Sequence, residues 1–291
     1  MYCLILIEKP LKIKNTLLLL LVFSFSCASV FSQQGKVDPT FNTYDDGLLG
    51  DGFDNTVRTL SVQDDGKLIV GGDFLNFNGV ATPYLCRLLP DGSKDASFFL
   101  GTGFNNKVYT SLLQPDGKIL VAGSFTQFNG TAVGRLVRLN PDGSRDSSFT
   151  ASPGATNSII YNMVLQSDGS IFLVGSFTSF NGTAANRIVK ILPNGAVDTS
   201  FVTGSGASGL IEKIALQSDG KIIIGGGFEE FNGSTVGKIA RLNANGTLDT
   251  SFVTGVGFDN NVSAIGIQSD GKIILGGSFT TFNGTAANRI L

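Results

Sequence analysis

The stretch Gln217-Ser218-Asp219-Gly220-Lys221-Ile222-Ile223-Ile224-Gly225-Gly226-Gly227-Phe228-Glu229-Glu230-Phe231-Asn232-Gly233 contains a turn, an apolar run, a glycine cluster and a second turn. Close variants occur five times, and their glutamines stand at positions 63, 114, 166, 217 and 268, a spacing of 51 or 52 residues. A fixed period in this range is the signature of a repeat architecture, in which each repeat is one supersecondary unit. The sequence is therefore interpreted as five copies of one unit.

Each repeat begins with two predicted strands. Val108 to Leu113 is the first strand of the second repeat, and the same places in other repeats carry apolar residues at the two-residue spacing of a strand. Lys118 to Gly123 is apolar without alternation, which predicts a strand covered on both faces. The glycines that end this strand predict a bulge or a close backbone approach. Asp116-Gly117 between the two strands predicts a two-residue hairpin turn.

The rest of each repeat supplies two further short elements. Arg135 to Leu139 mixes basic and apolar residues and is a predicted third strand, whose basic stems cover the outer face of the sheet. An Asx-Gly turn then leads to an Asp-x-Ser-Phe segment such as Asp146 to Phe149, in which the aspartate ties the turn backbone. No helical period follows the first 32 residues. We predict an all-β chain that forms a β-propeller of four-stranded blades of about 51 residues, with a β-solenoid as the second choice.

Two recurrent features are interpreted as packing. A pair of phenylalanines three residues apart recurs in every repeat, as at Phe228 and Phe231, and its recurrence favours contact between units over contact with a ligand. Cys86 lies in a strand where other repeats have valine or isoleucine, and we expect it to be a small buried apolar residue.

The motifs Gln-x-Asp-Gly-Lys-Ile, Gly-Gly-x-Phe, Phe-Asn-Gly, Arg-Leu and Asp-x-Ser-Phe resemble those of the delta-60 repeat family over residues 35–291. That family consists of β-propeller repeats common in secreted proteins of Bacteroidetes. The resemblance implies a secreted propeller, often part of a longer protein with a C-terminal sorting domain. The family implies no agreed activity, so the resemblance transfers no catalytic residue.

The N-terminal segment has the order of a secretory signal. Three lysines precede the apolar run from Leu17 to Phe25, and small residues follow up to Ser32. The run is too short for a comfortable membrane span. We predict a signal peptide at residues 1–32, a mature chain at 33–291 without a membrane span, and a secreted or outer-membrane-surface location. Cys27 leaves a lipoprotein as an alternative.

The predicted mature chain divides into repeats at about 42–98, 99–149, 150–201, 202–252 and a partial 253–291, with 35–41 as a lone fourth strand. The fifth copy stops inside its third strand. The expectation is an incomplete ring, with more blades or a sorting domain beyond Leu291. A closed ring of five blades is the alternative.

Composition excludes several classes of function. A net charge of −2 gives no electrostatic footprint for nucleic acid. The chain has no histidine, which excludes a Ser-His-Asp triad and a His-ligated metal. Asn140 to Asp146 carries alternating oxygen donors, but it lacks a later bidentate glutamate and contains Arg145. Turn chemistry is therefore preferred, no cofactor is expected, and calcium stays the alternative.

The candidate ligand-binding residues precede the first strand of each repeat, in a loop that faces the mouth of the central channel in a propeller. They are the short polar residues Asp54, Asn105, Asn157, Ser208 and Asp259. Such a ring could hold a sugar or a cation. Glu212 is the only other acid near this mouth, and Phe53, Phe104 and Phe258 are the aromatics that these loops offer for stacking.

We expect a non-enzymatic binding or scaffold module for an unidentified protein or glycan. A calcium- or carbohydrate-binding module at the channel mouth is the alternative. A glycan hydrolase or lyase is the third hypothesis, although it needs two facing carboxylates and the spacing selects no such pair.

Overall fold

The computed structural model describes residues 38, 40–43, 51–155 and 158–291. Contacts divide the chain into two units, 1–38 and 39–291, and the strands of the described residues belong to the second. The predicted signal peptide lies outside the described residues, as does most of the lone strand predicted at 35–41. Within the described ranges, no helix has the length and hydrophobicity needed to cross a bilayer.

The repeats share one order of strands, numbered along the chain. The inner strands are β1 (Val57–Val62), β6 (Val108–Leu113), β11 (Ile160–Leu165), β16 (Ile211–Leu216) and β21 (Val262–Ile267). The middle strands are β2 (Leu68–Gly72), β7 (Ile119–Gly123), β12 (Ile171–Gly175), β17 (Ile222–Gly226) and β22 (Ile273–Gly277). The outer strands are β5 (Leu85–Leu88), β10 (Leu136–Leu139), β15 (Ile188–Ile191) and β20 (Ile239–Leu242).

Between the middle and outer strands each repeat has a small hairpin of two-residue strands. These are β3 (Asn76–Phe77) with β4 (Val80–Ala81), β8 (Gln127–Phe128) with β9 (Thr131–Ala132), β13 (Ser179–Phe180) with β14 (Thr183–Ala184), β18 (Glu230–Phe231) with β19 (Ser234–Thr235), and β23 (Thr281–Phe282) with β24 (Thr285–Ala286).

Each of the first four blades is an antiparallel sheet in the order inner, middle, outer. In the fifth, β21 and β22 pair, and Ile290 adds one bridge to Gly276. The predicted fourth strand is a single bridge to the end of the outer strand, as between Leu139 and Arg145. The prediction of repeated antiparallel propeller blades is confirmed, and the fourth element is shorter than the sequence suggested.

The two turn motifs have different loop lengths. In the first Asp-Gly turn, the Gln63 amide donates to the Lys67 carbonyl (2.8 Å) and the Gly66 amide to the Gln63 carbonyl (2.9 Å). Only the glycine has a positive φ (81°), so this is a three-residue loop, and the predicted two-residue turn is wrong. The two-residue turn lies in Phe-Asn-Gly, where Asn78 (φ 48°) and Gly79 (φ 69°) connect β3 and β4.

The middle strand divides its side chains between two blade interfaces. Ile222 and Ile224 lie in one core cluster with Phe172 of the preceding blade. Ile223 lies in another cluster with Leu275 of the following blade. All three isoleucines of β17 are 0% exposed. This confirms the strand covered on both faces, and it explains why the apolar run does not alternate.

The inner strands pack in succession, β1 on β6, β6 on β11, β11 on β16 and β16 on β21.

The outward faces of the first and fifth blades differ from the internal interfaces. Val57 and Leu60 are 43% and 58% exposed, and Ile274 is 40% exposed. The equivalent Val108 and Ile223 are 0% exposed. In the described part of the chain, these two end faces are therefore not covered as the internal ones are.

The recurrent aromatics are core residues, as predicted. The first phenylalanine of every pair is 0% exposed: Phe74, Phe125, Phe177, Phe228 and Phe279. Phe125 and Phe128 of the second blade share a core cluster with Ile69 of the first, so the pair packs between units. Cys86 is a buried free thiol, and burial raises its pKa to about 12.

The basic residues of the outer strands have a role that the sequence did not predict. Arg138 donates from Nε to Asp146 Oδ2 (2.8 Å) and from Nη1 to the Pro193 carbonyl of the next blade (2.7 Å). Its guanidinium lies 4.6 Å from the Phe149 ring centre. Arg138 is 7% exposed, so the expectation that its side chain covers an outer face by its stem is wrong. The predicted turn role of Asp146 is confirmed, because its Oδ1 accepts from the Ser148 amide (2.9 Å).

Candidate ligand-binding site at the axial mouth

The predicted site residues bind the backbone of their own repeat. Asp54 Oδ1 accepts from the amides of Leu75 (2.8 Å) and Asn76 (3.0 Å), so these hydrogen bonds lower the pKa of its carboxyl. Asp259 accepts likewise from Thr280 and Thr281, whose hydrogen bonds lower its pKa to about 2.

Asn105 and Ser208 accept from the two equivalent backbone amides of their own repeats. Asn157 lies outside the described residues. The four described side chains thus join the loop before the inner strand to the small hairpin. A ligand contact at these positions stays a prediction.

The aromatics of these loops do not offer exposed faces. Phe104 is 3% exposed and Phe258 is 4% exposed. Phe53 is half-buried, with its ring centre 4.3 Å from that of Phe74 and 4.6 Å from that of Phe77. The suggestion from the sequence that these rings are available to stack on a ligand is therefore wrong.

Every inner strand carries a β-bulge at its second residue. In the first repeat Val57 pairs with Gly72 and Thr59 with Gly71, so that Arg58 has no partner in the register. The same shift occurs in the other four repeats. A bulge leaves one residue unpaired and redirects its side chain. The bulged residues, here called the axial ring, are Arg58, Tyr109, Tyr161, Glu212 and Ser263.

The bulges account for the glycine that ends each middle strand. A Cβ on Gly175 would lie 2.0 Å from the Ile159 carbonyl oxygen, and one on Gly72 would lie 2.1 Å from the Thr56 oxygen. Contacts this short with backbone do not occur for real Cβ atoms, so the bulge requires glycine opposite it. The predicted close backbone approach at these glycines is confirmed.

The axial ring lines a cavity of about 370 Å³, together with Thr56, Val57, Leu210 and Lys213. Residues of all five repeats meet there, because each ring residue stands near the start of an inner strand and the inner strands pack around one axis. The Asp-Gly turns follow the other ends of the same strands. The cavity is therefore at one mouth of the axis. It contains Glu212, the acid that the sequence placed near the mouth.

Arg58 is held in place from two sides. Its Nε and Nη2 donate to Asp73 Oδ1 (2.5 Å) and Oδ2 (2.7 Å), and its Cζ lies 4.5 Å from the ring centre of Tyr109. Lys107 Nζ also donates to Asp73 Oδ2 (2.9 Å). The hydrogen bond with Arg58 is the main cause that lowers the pKa of Asp73. Among the described residues, Arg58 Nη1 has no hydrogen-bond acceptor.

The other side of the cavity combines phenols, one acid and one amine. Tyr109 and Tyr161 meet edge to face, with ring centres 5.3 Å apart. Glu212 Oε1 accepts from Asn261 Nδ2 (2.8 Å). Lys213 is half-buried, and burial lowers its pKa. Its Nζ has no hydrogen bond or ion pair with any described residue.

The site predicted from the sequence lies four residues before the axial ring in each repeat, so the prediction missed these side chains. One signal for them exists in the repeats. The position before each bulge is always valine or isoleucine, whereas the bulge position holds arginine, tyrosine, glutamate or serine. A position that varies in chemistry beside one that stays apolar indicates a role outside the common packing.

The loop considered for calcium uses its oxygens internally. Asp142 Oδ1 accepts from the Ser144 amide (2.9 Å), and Asp146 is paired with Arg138. Across the described ranges, no group of three or more His, Cys, Asp or Glu residues could hold a metal ion. The structure thus assigns hydrogen bonds of turn chemistry to this loop.

A family model described as "Domain of unknown function (DUF5122) beta-propeller" matches residues 63–98, 114–149, 166–201, 217–252 and 268–291. These five segments make up more than half of the chain, and each falls on one of the five repeats. The chain therefore belongs to this β-propeller family. No curated protein matches the sequence.

Solved structures with a similar fold include virginiamycin B lyase from Staphylococcus aureus, at 16% identity and a TM-score of 0.50, covering 77% of this chain and 65% of that one. The extracellular domain of the putative one component system BT4673 from B. thetaiotaomicron has 17% identity and a TM-score of 0.48, and the match covers 77% of this chain and 26% of that one. YCF48 bound to D1 peptide has 12% identity and a TM-score of 0.46, and the match covers 81% of this chain and 63% of that one. This chain spans less than two thirds of each structure, and the first likeness supports the fold alone.

Proposed function

We propose that this chain is a secreted or surface-exposed, non-enzymatic β-propeller module that binds a partner molecule at the axial ring. The observation that carries the proposal is the contrast between the ring and the rest of the repeat. Five equivalent bulge positions converge on one cavity with different polar side chains, whereas the positions next to them keep the same apolar packing. Packing of identical blades does not require that difference, and binding of an asymmetric ligand does.

The export part of the proposal is supported by the leader predicted at residues 1–32. The resemblance to delta-60 repeats points the same way and suggests an origin in Bacteroidetes. A lipid-anchored form through Cys27 is the variant of this proposal that keeps the protein on a membrane surface.

The state of the acids supports binding over catalysis. Glu212 is the single carboxylate of the ring, and hydrolysis of a glycosidic bond requires a pair of carboxyl groups, one with a raised pKa. Asp73, the acid bound to Arg58, has a lowered pKa because two cations donate to it. Asp54 and Asp259 are also held ionised, by backbone amides. A glycan hydrolase is therefore the less favoured proposal, and a lyase stays the other enzymatic alternative.

The test is to probe glycan and peptide arrays with the mature chain and with the double variant Tyr109→Ala/Tyr161→Ala. Phe99→Ala is the matched control, because it removes an aromatic ring that is 75% exposed and lies outside the cavity. We expect the ring variant to lose array signals that the wild type and the control keep. Array signals that are identical in all three proteins would refute the axial ring as the binding site. The urea midpoint of each variant, followed by far-ultraviolet circular dichroism, verifies that it is folded.

A further inference from the structure

We propose that the axial ring recognises the carboxylate of a small acidic saccharide, a uronate of one or two sugar units. This inference rests on the proposed function, since it names the chemical class of ligand for the same cavity.

The first argument is the balance of charge. The cavity and the groups bonded to it contain the cations Arg58, Lys107 and Lys213 and the carboxylates Asp73 and Glu212. Three cations against two carboxylates leave one positive charge unmatched. The excess lies in a partly enclosed space, where electrostatic interactions are stronger than in bulk water. A ligand with one negative charge would neutralise it.

The second argument is that two charged donors beside the cavity have no acceptor. Asp73 occupies the Nε and Nη2 edge of Arg58, so the Nη1 group is left without an acceptor among the described residues. Lys213 Nζ is also without an acceptor there and is half-buried. Charged donors that lose water without gaining an acceptor are costly. A carboxylate is the natural partner for both, because charge-assisted hydrogen bonds to carboxylates are the strong ones.

The third argument concerns the remainder of the ligand. The two tyrosines offer ring edges and phenol hydroxyls, and Ser263 and Glu212 offer a hydroxyl and an acceptor. A volume of about 370 Å³ suits a ligand of one or two sugar rings. An inorganic anion would leave these polar groups unused, and a neutral sugar would leave the charge unmatched. A sugar that carries both hydroxyls and one carboxylate uses all of them.

The experiment is isothermal titration calorimetry of the mature chain with D-galacturonate and D-glucuronate, and with D-galactose, D-glucose and acetate as comparison ligands. We expect a uronate to bind and its neutral parent to bind at least tenfold more weakly. Acetate is expected to bind more weakly than the uronate, because it lacks the sugar hydroxyls.

The key variant is Lys213→Met, which removes the charge and keeps most of the chain length without breaking any described bond. We expect it to weaken uronate binding roughly tenfold to a hundredfold, the usual worth of a charged hydrogen bond. Lys272→Met is the matched control, since its side chain is 76% exposed and it lies in an Asp-Gly turn beyond the other end of its inner strand. The control is expected to bind as the wild type does.

Absence of uronate binding would overturn the inference, and so would equal binding of the neutral sugars or an unchanged affinity in Lys213→Met. An acidic peptide captured at the ring in place of a sugar would overturn the saccharide assignment. In each case the proposed function still stands if array signals depend on Tyr109 and Tyr161. The proposed function fails separately if no array signal depends on these two tyrosines.

Discussion

Ile223 and Ile274 occupy the same position in consecutive middle strands, and the same substitution at the two sites tests the stacking of blades. Ile223 is 0% exposed and lies in a core cluster with Val262 and Leu275 of the fifth blade. Ile223→Ala removes three carbon atoms, worth about 0.8 kcal/mol each when buried, or about 2.4 kcal/mol in all. The unfilled cavity adds to this loss, so we expect a decrease in unfolding free energy of about 3 kcal/mol, within the usual range of ~2–5.

Ile274→Ala removes the same atoms from a residue that is 40% exposed. About three fifths of the transfer free energy is then lost, roughly 1.4 kcal/mol, and no enclosed cavity is formed. Exposure should therefore separate the two variants by about 1.5 kcal/mol or more.

The assay is urea-induced unfolding of the mature chain, followed by circular dichroism, with the midpoint and slope compared between the variants. Equal losses of stability would refute the reasoning, because they would mean that Ile223 and Ile274 are covered to the same extent in solution. A change of slope in one variant would indicate that its blades no longer unfold together.

Three further predictions address the bulges and the buried ion pairs. Gly175→Ala should lower the unfolding free energy by several kcal/mol, because the added Cβ would lie 2.0 Å from a backbone oxygen, whereas Gly266→Ala in β21 should be tolerated, since its nearest neighbour is 4.0 Å away. Similar urea midpoints for these two variants would contradict the bulge geometry. Arg138→Ala should cost about 2 kcal/mol, because it removes one of the two cations paired with the buried Asp146 and Lys118 still compensates part of the charge, and Arg138→Met/Asp146→Leu should recover much of that loss. An Arg138→Ala protein as stable as the wild type in thermal unfolding would show that the pair is dispensable. Finally, burial alone would raise the pKa of Asp146. The hydrogen bonds from Ser148, Lys118 and Arg138 outweigh this effect and hold the pKa below the unfolded value of about 3.9. This stabilisation is fully present above the unfolded pKa and is lost as the pH falls through the folded pKa, so stability should decline below about pH 4. Urea titrations at pH 6, 4 and 3 should show a smaller decline in Asp146→Asn, and an equal decline would rule out this residue as a source of the pH dependence.

The strands and turns were predictable because their signals are local. The start and end of β6 coincide with the predicted Val108 to Leu113, since the apolar spacing of a strand is written in consecutive residues. The loop length of the Asp-Gly turn was predicted wrongly, because a two-residue and a three-residue hairpin can contain the same two residues. Only the hydrogen bond from the Gln63 amide to the Lys67 carbonyl decides between them.

The candidate site was only partly predictable. Asp54 and its equivalents have the residue types of a polar ring and precede the inner strand, and the sequence does not reveal that backbone amides of the small hairpin take up their oxygens. The ion pair between Arg138 and Asp146 was missed for a related reason. A basic residue in an outer strand has the same sequence signature whether its head reaches solvent or a buried aspartate.

The sequence by itself determined the five repeats, the antiparallel strands of each repeat and the burial of the middle strand on both faces, because each of these depends on a pattern that every copy carries. Only the tertiary structure decided which side chains meet at the axis. That choice depends on one unpaired residue in each inner strand and on the packing of five such strands side by side. A bulge has no periodic signature of its own, so Arg58, Tyr109, Tyr161, Glu212 and Ser263 form one cavity only after the blades are stacked.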